Sequence, residues 1–393
     1  MNKIFSSTIF RLFLGVIAGI TIGSFIPESA VGAILSLRHV LGQVIFFLVP
    51  LIVIGFVAPS IARLREDASS MLSKALLLAY GSTIGAGFFA VLLGYKFLPG
   101  MDIASVAEST KSLPEMIFRL DIPPVMGVMS ALVLSIMLGL ATVWTKSELF
   151  GNFLNDFQQI VLSLVNRILI PLLPSFIAAN FAVLAYEGAI TQLLPIFIKV
   201  MGIVIIAHFI WLGLLYTVAG IKSGKNPWEV LKHYGPAYLT AVGTMSSAAT
   251  LGIALSSAQK SKVLSKDISS FSVPLFANIH LCGSVLTEVF FVMTVSLIIY
   301  GTLPSASLMI LFVLLLGIFG IGAPGVPGGT VVASLGLIIS VLGFTEVATA
   351  LLLTIFALQD SFGTACNITG DGALTLMLQN KDAETVETET SGS

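Results

Sequence analysis

Six blocks of mostly apolar residues, near 8–27, 40–62, 72–98, 124–145, 155–185 and 191–220, run down the first half of the chain, with polar residues gathered between them. At about 1.5 Å of rise per residue, helices over these blocks reach across a hydrocarbon core about 30 Å thick, and spanning helices are predicted there. The second half breaks the rhythm. "TAVGTMSSAATLGIALSSAQ" (Thr240 to Gln259) and "FGIGAPGVPGGTVVASLG" (Phe319 to Gly336) are apolar overall, yet each carries small polar residues, glycines or prolines at its centre that end a helix. A lipid-exposed break strands backbone groups in hydrocarbon, so such breaks survive only inside the protein or facing a water-filled cavity. Two of them in corresponding places predict two re-entrant hairpins whose tips meet near the midplane, where a transporter binds its substrate. A kinked spanning helix is the alternative for either stretch taken alone.

Composition fixes the solvent. Of 393 residues, 56% are hydrophobic and 10% charged, with a mean hydropathy of +1.02, whereas soluble domains carry about 25% charge. From Val289 to Thr345 there is no Asp, Glu, Lys, Arg or His, a run longer than two crossings of about 20 residues each. The chain reads as an all-α integral membrane protein. A net charge of −1 argues against a nucleic-acid partner. Cys282 and Cys366 make no CxxC and lie in apolar segments, so they read as reduced packing residues.

Lysines and arginines set the orientation. Lys3, Arg11, Arg63, Arg65, Lys74, Lys222, Lys225, Lys232, Lys260, Lys262, Lys266 and Lys381 all fall at ends that the span count assigns to one side, the cytoplasm. Both termini are therefore expected inside, at the plasma (inner) membrane. The segment 100–121 is then the longest outside loop, and the acidic tail 381–393 reads as disordered. Lys3 and Arg11 before an apolar stretch imitate a secretory signal. The length of that stretch and the spans that follow it favour a first membrane helix.

The chemistry lies in "LQDSFGTACNITGD", Leu358 to Asp371. Asp360, Thr364, Asn367 and Asp371 stand at spacings 4, 3 and 4, which puts all four on one helical stripe. A charged residue in a spanning helix costs at least about 2.5 kcal/mol and faces the protein interior or a cavity. Two carboxylates, an amide and a hydroxyl make a surface for a hard cation or an ammonium group. Helix-to-helix glue is the bland alternative, but glue does not call for two carboxylates without a basic partner. Upstream, "SVPLFANIHLCGSVLTEVFF" sets Asn278, His280, Ser284 and Glu288 in an apolar segment that Pro274 and Gly283 loosen. An unwound stretch there would turn carbonyls toward an ion. His280 is a proton candidate, the alternative being a neutral structural histidine, and Glu288 could pair with it or accept a proton itself.

On these motifs the chain resembles the dicarboxylate/amino acid:cation symporter family. "TMSSAATL" resembles the serine-rich tip of that family's first hairpin, and "NIHLCGS" sits where the family has an unwound Asn-Met-Asp-Gly-Thr stretch. "GAPGVPGG" looks like the second hairpin tip and "QDSFGTACNITGD" like the last helix, while "YGST…LPG" is similar to the third helix. The resemblance implies eight transmembrane helices, two re-entrant hairpins and a homotrimer in lipid, with an elevator mechanism. It also implies a scaffold over 1–220, from which the third helix (72–98) is set apart to join the transport domain, whose core runs over 221–380. Within that core it implies a first hairpin near 228–258, helix 7 near 267–297, a second hairpin near 305–342 and helix 8 near 345–379.

The resemblance also implies roles. Asp360 matches the holder of the substrate ammonium, Asn367 the amide for the α-carboxylate and Thr364 a substrate hydroxyl. Ser246 and Ser247 match hairpin-tip groups for that same carboxylate, and Val326, Pro327 and Gly328 the lid tip. Where acidic-substrate members carry an arginine, on this helix or at the first tip, this chain has Gly363 and Met245. Without a guanidinium fork, a side-chain carboxylate would be desolvated unpaired. The expected substrate is therefore a small neutral amino acid of the serine, threonine, alanine or cysteine kind, with open space above Gly363. An acidic amino acid or dicarboxylate is the alternative.

The deep sodium site's carboxylate is replaced by Cys282 and its asparagine by His280, beside hydroxyls matching Ser82 and Thr83. A second site would use Asn367 and Asp371, although Phe276 replaces a small residue nearby. Sodium is the expected coupling ion, with no other cofactor, and proton coupling through His280 is its competitor. Enzymes fit poorly: Ser246, His280 and Asp371 could be drawn as a triad, but "TMSSAA" is not the Gly-x-Ser-Gly of serine intramembrane proteases. "ITGDG" has Ile368 where the aspartyl type needs glycine. A passive channel would not saturate with substrate.

Overall fold

The computed structural model describes residues 8–62, 70–101, 112–323 and 327–379, and every regular element within them is helical. The first half supplies α1 (Thr8–Phe25), α2 (Glu28–Ala62), α3 (Ser70–Phe97), α4 (Val128–Thr145), α5 (Glu148–Leu164), α6 (Ile170–Tyr186) and α7 (Ile190–Ser223). A single turn, α8 (Trp228–Leu231), leads into α9 (Gly235–Thr244) and α10 (Ser247–Gln259). Then come α11 (Lys266–Ile279), α12 (Cys282–Tyr300), α13 (Ala306–Gly322), α14 (Gly329–Leu342) and α15 (Glu346–Leu378).

Among the described residues, six stretches are long and apolar enough to cross a membrane: Glu28–Pro59, Met71–Gly100, Glu148–Tyr186, Ile190–Ser223, Lys266–Tyr300 and Glu346–Leu378. Phe10–Phe25, Val133–Thr145, Ala306–Ile321 and Gly329–Leu342 are apolar but shorter. The second predicted span needs correction at its start, because α2 is helical from Glu28 rather than from residue 40. Arg38 and His39 lie inside this longer helix. They do not end the helix because their side chains have polar neighbours away from lipid: His39 Nε2 lies 3.0 Å from Asp121 Oδ1, and Glu187 and Glu346 act on Arg38 through space. The α5–α6 rod likewise begins at Glu148, where the Ser147 hydroxyl accepts from Phe150 N, and passes its midpoint in a π turn over Val165–Leu169.

All three interruptions expected in the second half are present. Between α9 and α10, Met245 adopts φ 53° and Ser246 is extended, its hydroxyl accepting from Ala249 N at 3.2 Å. His280 and Leu281 separate α11 from α12 in non-helical conformations, with φ −110° and −125°. Gly328, at φ +71°, caps the start of α14, and residues 324–326 lie outside the described set.

Packing separates a buried centre from a lipid-grade surface. α12 is buried from Cys282 through Ser296, and α15 is buried over nearly its whole length. α15 packs against α12, α7, α9 and α11, so the helix that carries both carboxylates is the axis of the second half. Outside, Phe13, Leu77, Leu92, Met137, Trp144 and Phe209 are exposed, as lipid-facing positions are. Close approach replaces the hydrophobic drive that lipid removes. On α1, a Cβ at Gly15, Gly19 or Gly23 would stand 2.6, 2.4 or 2.1 Å from a carbonyl oxygen of α6.

The same device joins α12 to α15. A Cβ at Gly283 would lie 2.4 Å from Gly363 O and 2.5 Å from Cys366 Cβ. Gly283→Ala is therefore expected to force these helices apart, at a cost of about 1–3 kcal/mol for overpacking. Thermal unfolding of the detergent-solubilised protein measures it, and an unchanged midpoint would show that the contact yields freely.

One end of the molecule is fastened by the segment 112–127. Phe118 N donates to Ser36 Oγ at 2.9 Å, Ile122 N to Gln43 Oε1 at 3.1 Å, and Arg119 Nε to Asp121 Oδ1 at 3.0 Å. The hydrogen bond from Arg119 chiefly holds Asp121 below the usual carboxylate range. This support is present at neutral pH and is lost as the pH falls through that lowered value. Gln43 Nε2 also donates to Glu346 Oε1 at 3.2 Å, tying α2 to the start of α15.

Candidate functional site

The predicted stripe on α15 is buried: Asp360 is 3%, Thr364 5%, Asn367 1% and Asp371 0% exposed. Asp360 and Asn367 stand two turns apart, about 10 Å along the axis, and the two ends of the stripe meet different partners.

At the lower-numbered end, Gly328 N donates to Asp360 Oδ2 at 2.6 Å. The positive end of α14 thus closes on the carboxylate. Gly328 takes this place because its left-handed φ is open to glycine, which lets the tip turn its N–H inward. Pro327 is half-buried beside it, and Val326 lies outside the described residues.

At the other end an imidazole bridges two oxygens. His280 Nδ1 lies 2.8 Å from Asp371 Oδ1, and His280 Nε2 lies 2.8 Å from Ser82 Oγ on α3. All three groups are buried. Leu281 N, freed by the interruption, donates to Thr83 Oγ1 at 3.3 Å. Phe276 meets the histidine ring edge-on at 6.4 Å between centroids, and Gly370 leaves room for it, since a Cβ there would stand 2.9 Å from His280 Cε1. Asp371 Oδ2 is buried and has no hydrogen-bond partner.

Asn367 lies between the two ends and is fully engaged with the first turn of α12. Its Oδ1 accepts from Gly283 N at 2.7 Å and from Ser284 N at 3.2 Å, and its Nδ2 donates to Ser284 Oγ at 2.9 Å. The amide expected to meet a ligand carboxylate caps a helix in this conformation.

Three expectations change. Glu288 is not paired with His280: its Oε1 accepts from Ser334 Oγ on α14, and its Oε2 is buried without a partner. The space expected above Gly363 is filled by backbone, because a Cβ there would lie 3.2 Å from Ser284 Cα and 3.3 Å from Ser284 N. Gly363 serves close helix packing, and no substrate group has room over it. Ser246 spends its hydroxyl on capping α10, while Ser247 beside it is buried, and α10 packs on α15. Asn278 also turns locally, its Nδ2 donating to Pro274 O at 2.8 Å.

The sequence reading missed His208 on α7. Its Nε2 lies 3.0 Å from both Gly283 O and Thr287 Oγ1, so it steadies the turn that Asn367 caps, and its Nδ1 is buried without a partner. The rule that singled out His280, an ionisable residue inside a span, applied equally to His208. Tyr216, whose hydroxyl donates to Thr369 O at 2.8 Å, was missed as well, and nothing in its apolar surroundings signalled it.

Chemically, the site offers a carboxylate under a helix end and, about three turns away, a buried carboxylate, imidazole and hydroxyl in series. Comparison with known families supplies the context: the sequence model of the sodium:dicarboxylate symporter family matches residues 8–381.

Proposed function

We infer the function from one premise: the chain belongs to the sodium:dicarboxylate symporter family, which consists of membrane transporters and not enzymes. It is an integral membrane protein, and cation-coupled symport of a dicarboxylate or amino acid is its general activity. Our finer reading is uptake of a small neutral amino acid, driven by a proton that His280 and Asp371 carry between them.

The observation that supports the ion is the imidazole between Asp371 Oδ1 and Ser82 Oγ. Sodium is a hard cation that prefers carboxylate, carbonyl and hydroxyl oxygens, and here the oxygens are already joined through ring nitrogens. A proton on His280 places positive charge against the Asp371 carboxylate in the position a metal ion would otherwise take. Glu288, held by Ser334 on α14, is a second proton candidate and would report lid position. Sodium remains a second reading with its own support, the unpartnered Asp371 Oδ2 two residues past Thr369 and one turn past Asn367.

Substrate selectivity rests on what is missing. Gly363 and Met245 stand where a guanidinium would hold a side-chain carboxylate, and the backbone packed over Gly363 leaves no room for one. Asp360 would take the substrate ammonium once Gly328 N withdraws, so the second tip acts as lid. The pairs α9/α10 and α13/α14 are read as re-entrant hairpins, 221–380 with α3 as the transport domain, and the rest of 1–220 as a trimeric scaffold.

The test is uptake into proteoliposomes of purified protein with a panel of labelled amino acids, under an imposed proton gradient and separately under a sodium gradient. Saturable uptake of a neutral amino acid that follows the proton gradient and is unaffected by excess aspartate is the expected result. Uptake driven by sodium alone would move the coupling ion to Asp371 and Asn367. Tight aspartate transport would overturn the selectivity argument.

A further inference from the structure

Four helix ends meet about two turns beyond Asp371 and leave a cavity of about 580 Å³. Lys74, Leu77 and Leu78 of α3, Lys222 of α7, Ile268 of α11 and Met377 of α15 line it. These are the start of α3, the end of α7, the start of α11 and the end of α15, so the cavity opens at a single face of the membrane. The lysine and arginine pattern assigns that face to the cytoplasm.

The lining has two chemistries and they are segregated. Lys74 and Lys222 are exposed cations, and among the described residues no acidic side chain lines the cavity. The N-terminus of α11, a helix of 14 residues, lies on the same side, with Asp267 in its first turn. Everything else lining the cavity is aliphatic or methionine, and Leu77, 71% exposed, continues the apolar floor onto the outer surface. A soluble anion such as inorganic phosphate would leave that floor wet. A ligand with an anionic head and acyl chains covers both parts.

We propose that this cavity holds an anionic glycerophospholipid of the cytoplasmic leaflet, its phosphate between Lys74 and Lys222 and an acyl chain lying along Leu77, Leu78 and Ile268. Lysine suits the head because it is a compact charge on a flexible stem that reaches a phosphate at a membrane surface. The lipid ties α3 and α7 to α11 and α15, the helices that bring Ser82, His280 and Asp371 together. It therefore steadies the coupling cluster without touching it. The assignment stands on this cavity alone and does not depend on what the protein transports.

The test compares the full chain in nanodiscs of phosphatidylcholine with nanodiscs containing one part phosphatidylglycerol to three parts phosphatidylcholine. Retained phosphatidylglycerol is read by native mass spectrometry, and the unfolding midpoint is read alongside. Each lysine is worth about fivefold in attraction for an anionic head, from about 1 kcal/mol per residue at a membrane surface. Wild type should keep phosphatidylglycerol and gain thermal stability from it. Lys74→Gln with Lys222→Gln should lose both, with retention falling about twentyfold or more, whereas Lys260→Gln, at the same face but outside the cavity, should keep both.

Equal retention by the double variant would overturn the assignment, and so would an equal loss in Lys260→Gln, which would mean general surface charge. If the wild type retains the lipid only after residues 380–393 are removed, the acidic tail is the occupant and the lipid assignment falls. The single variants cover the case in which the double variant does not fold: each should lose about fivefold in retention, and no loss in either would also overturn it.

Discussion

Replacing His280 by glutamine is expected to reduce proton-driven accumulation of substrate at least tenfold while leaving substrate exchange across the membrane in place. Glutamine keeps a polar end that can meet either Ser82 Oγ or Asp371 Oδ1, which the wild-type ring holds at 2.8 Å each, but it does not take up a proton. A transporter that moves its substrate together with a proton then loses the gradient as a driving force. Exchange, which runs without net ion flux, survives because Asp360 and the α14 tip are untouched. Accumulation under a pH gradient and counterflow of labelled against unlabelled substrate, measured on the same proteoliposomes, separate the two quantities. Full retention of proton-driven accumulation in the variant would remove His280 from the mechanism. Loss of both quantities together would assign it a structural role.

Asp360→Asn should weaken apparent substrate affinity about thirtyfold or more. Removing one partner of a buried charge pair costs about 2–5 kcal/mol, and about 1.4 kcal/mol corresponds to a factor of ten. The substitution is nearly isosteric, and the asparagine Oδ1 can still accept from Gly328 N, which lies 2.6 Å from the wild-type carboxylate. Folding and the contact of the α14 tip should therefore be preserved, and an unchanged unfolding midpoint would show it. The affinity loss should appear for amino acids and should vanish for analogues that lack the ammonium group. Equal losses for both kinds of ligand would mean that Asp360 does not face the ammonium.

Much of the site was legible because its chemistry is expensive in lipid. Asp360, Asn367 and Asp371 could be assigned to one buried stripe from spacing alone, since a carboxylate in an apolar span has to face inward. The break at His280 was legible from Pro274 and Gly283 near polar residues, and the break at Ser246 from the cluster of small residues around it. The start of α2 was not legible, because the polar neighbours of Arg38 and His39 lie far away in sequence, at Asp121, Glu187 and Glu346. His208 carried the same signal as His280 and was passed over. Gly363 was read as a vacancy, when the missing side chain is what lets the backbone of Gly283 and Ser284 approach.

The sequence by itself determined the solvent, the helical class and the inventory of polar groups, because the cost of unpaired charges and backbone breaks in hydrocarbon is local and depends little on which helix lies next door. Only the tertiary structure decided who meets whom. Ser82 reaches His280 across 198 positions of chain, and Gly328 reaches Asp360 across 32. Contacts of that kind depend on close helix packing at Gly283, Gly363 and Gly370, where tenths of an ångström select one register. Hydropathy and spacing measure where a side chain must hide, and packing alone sets which partner it finds there.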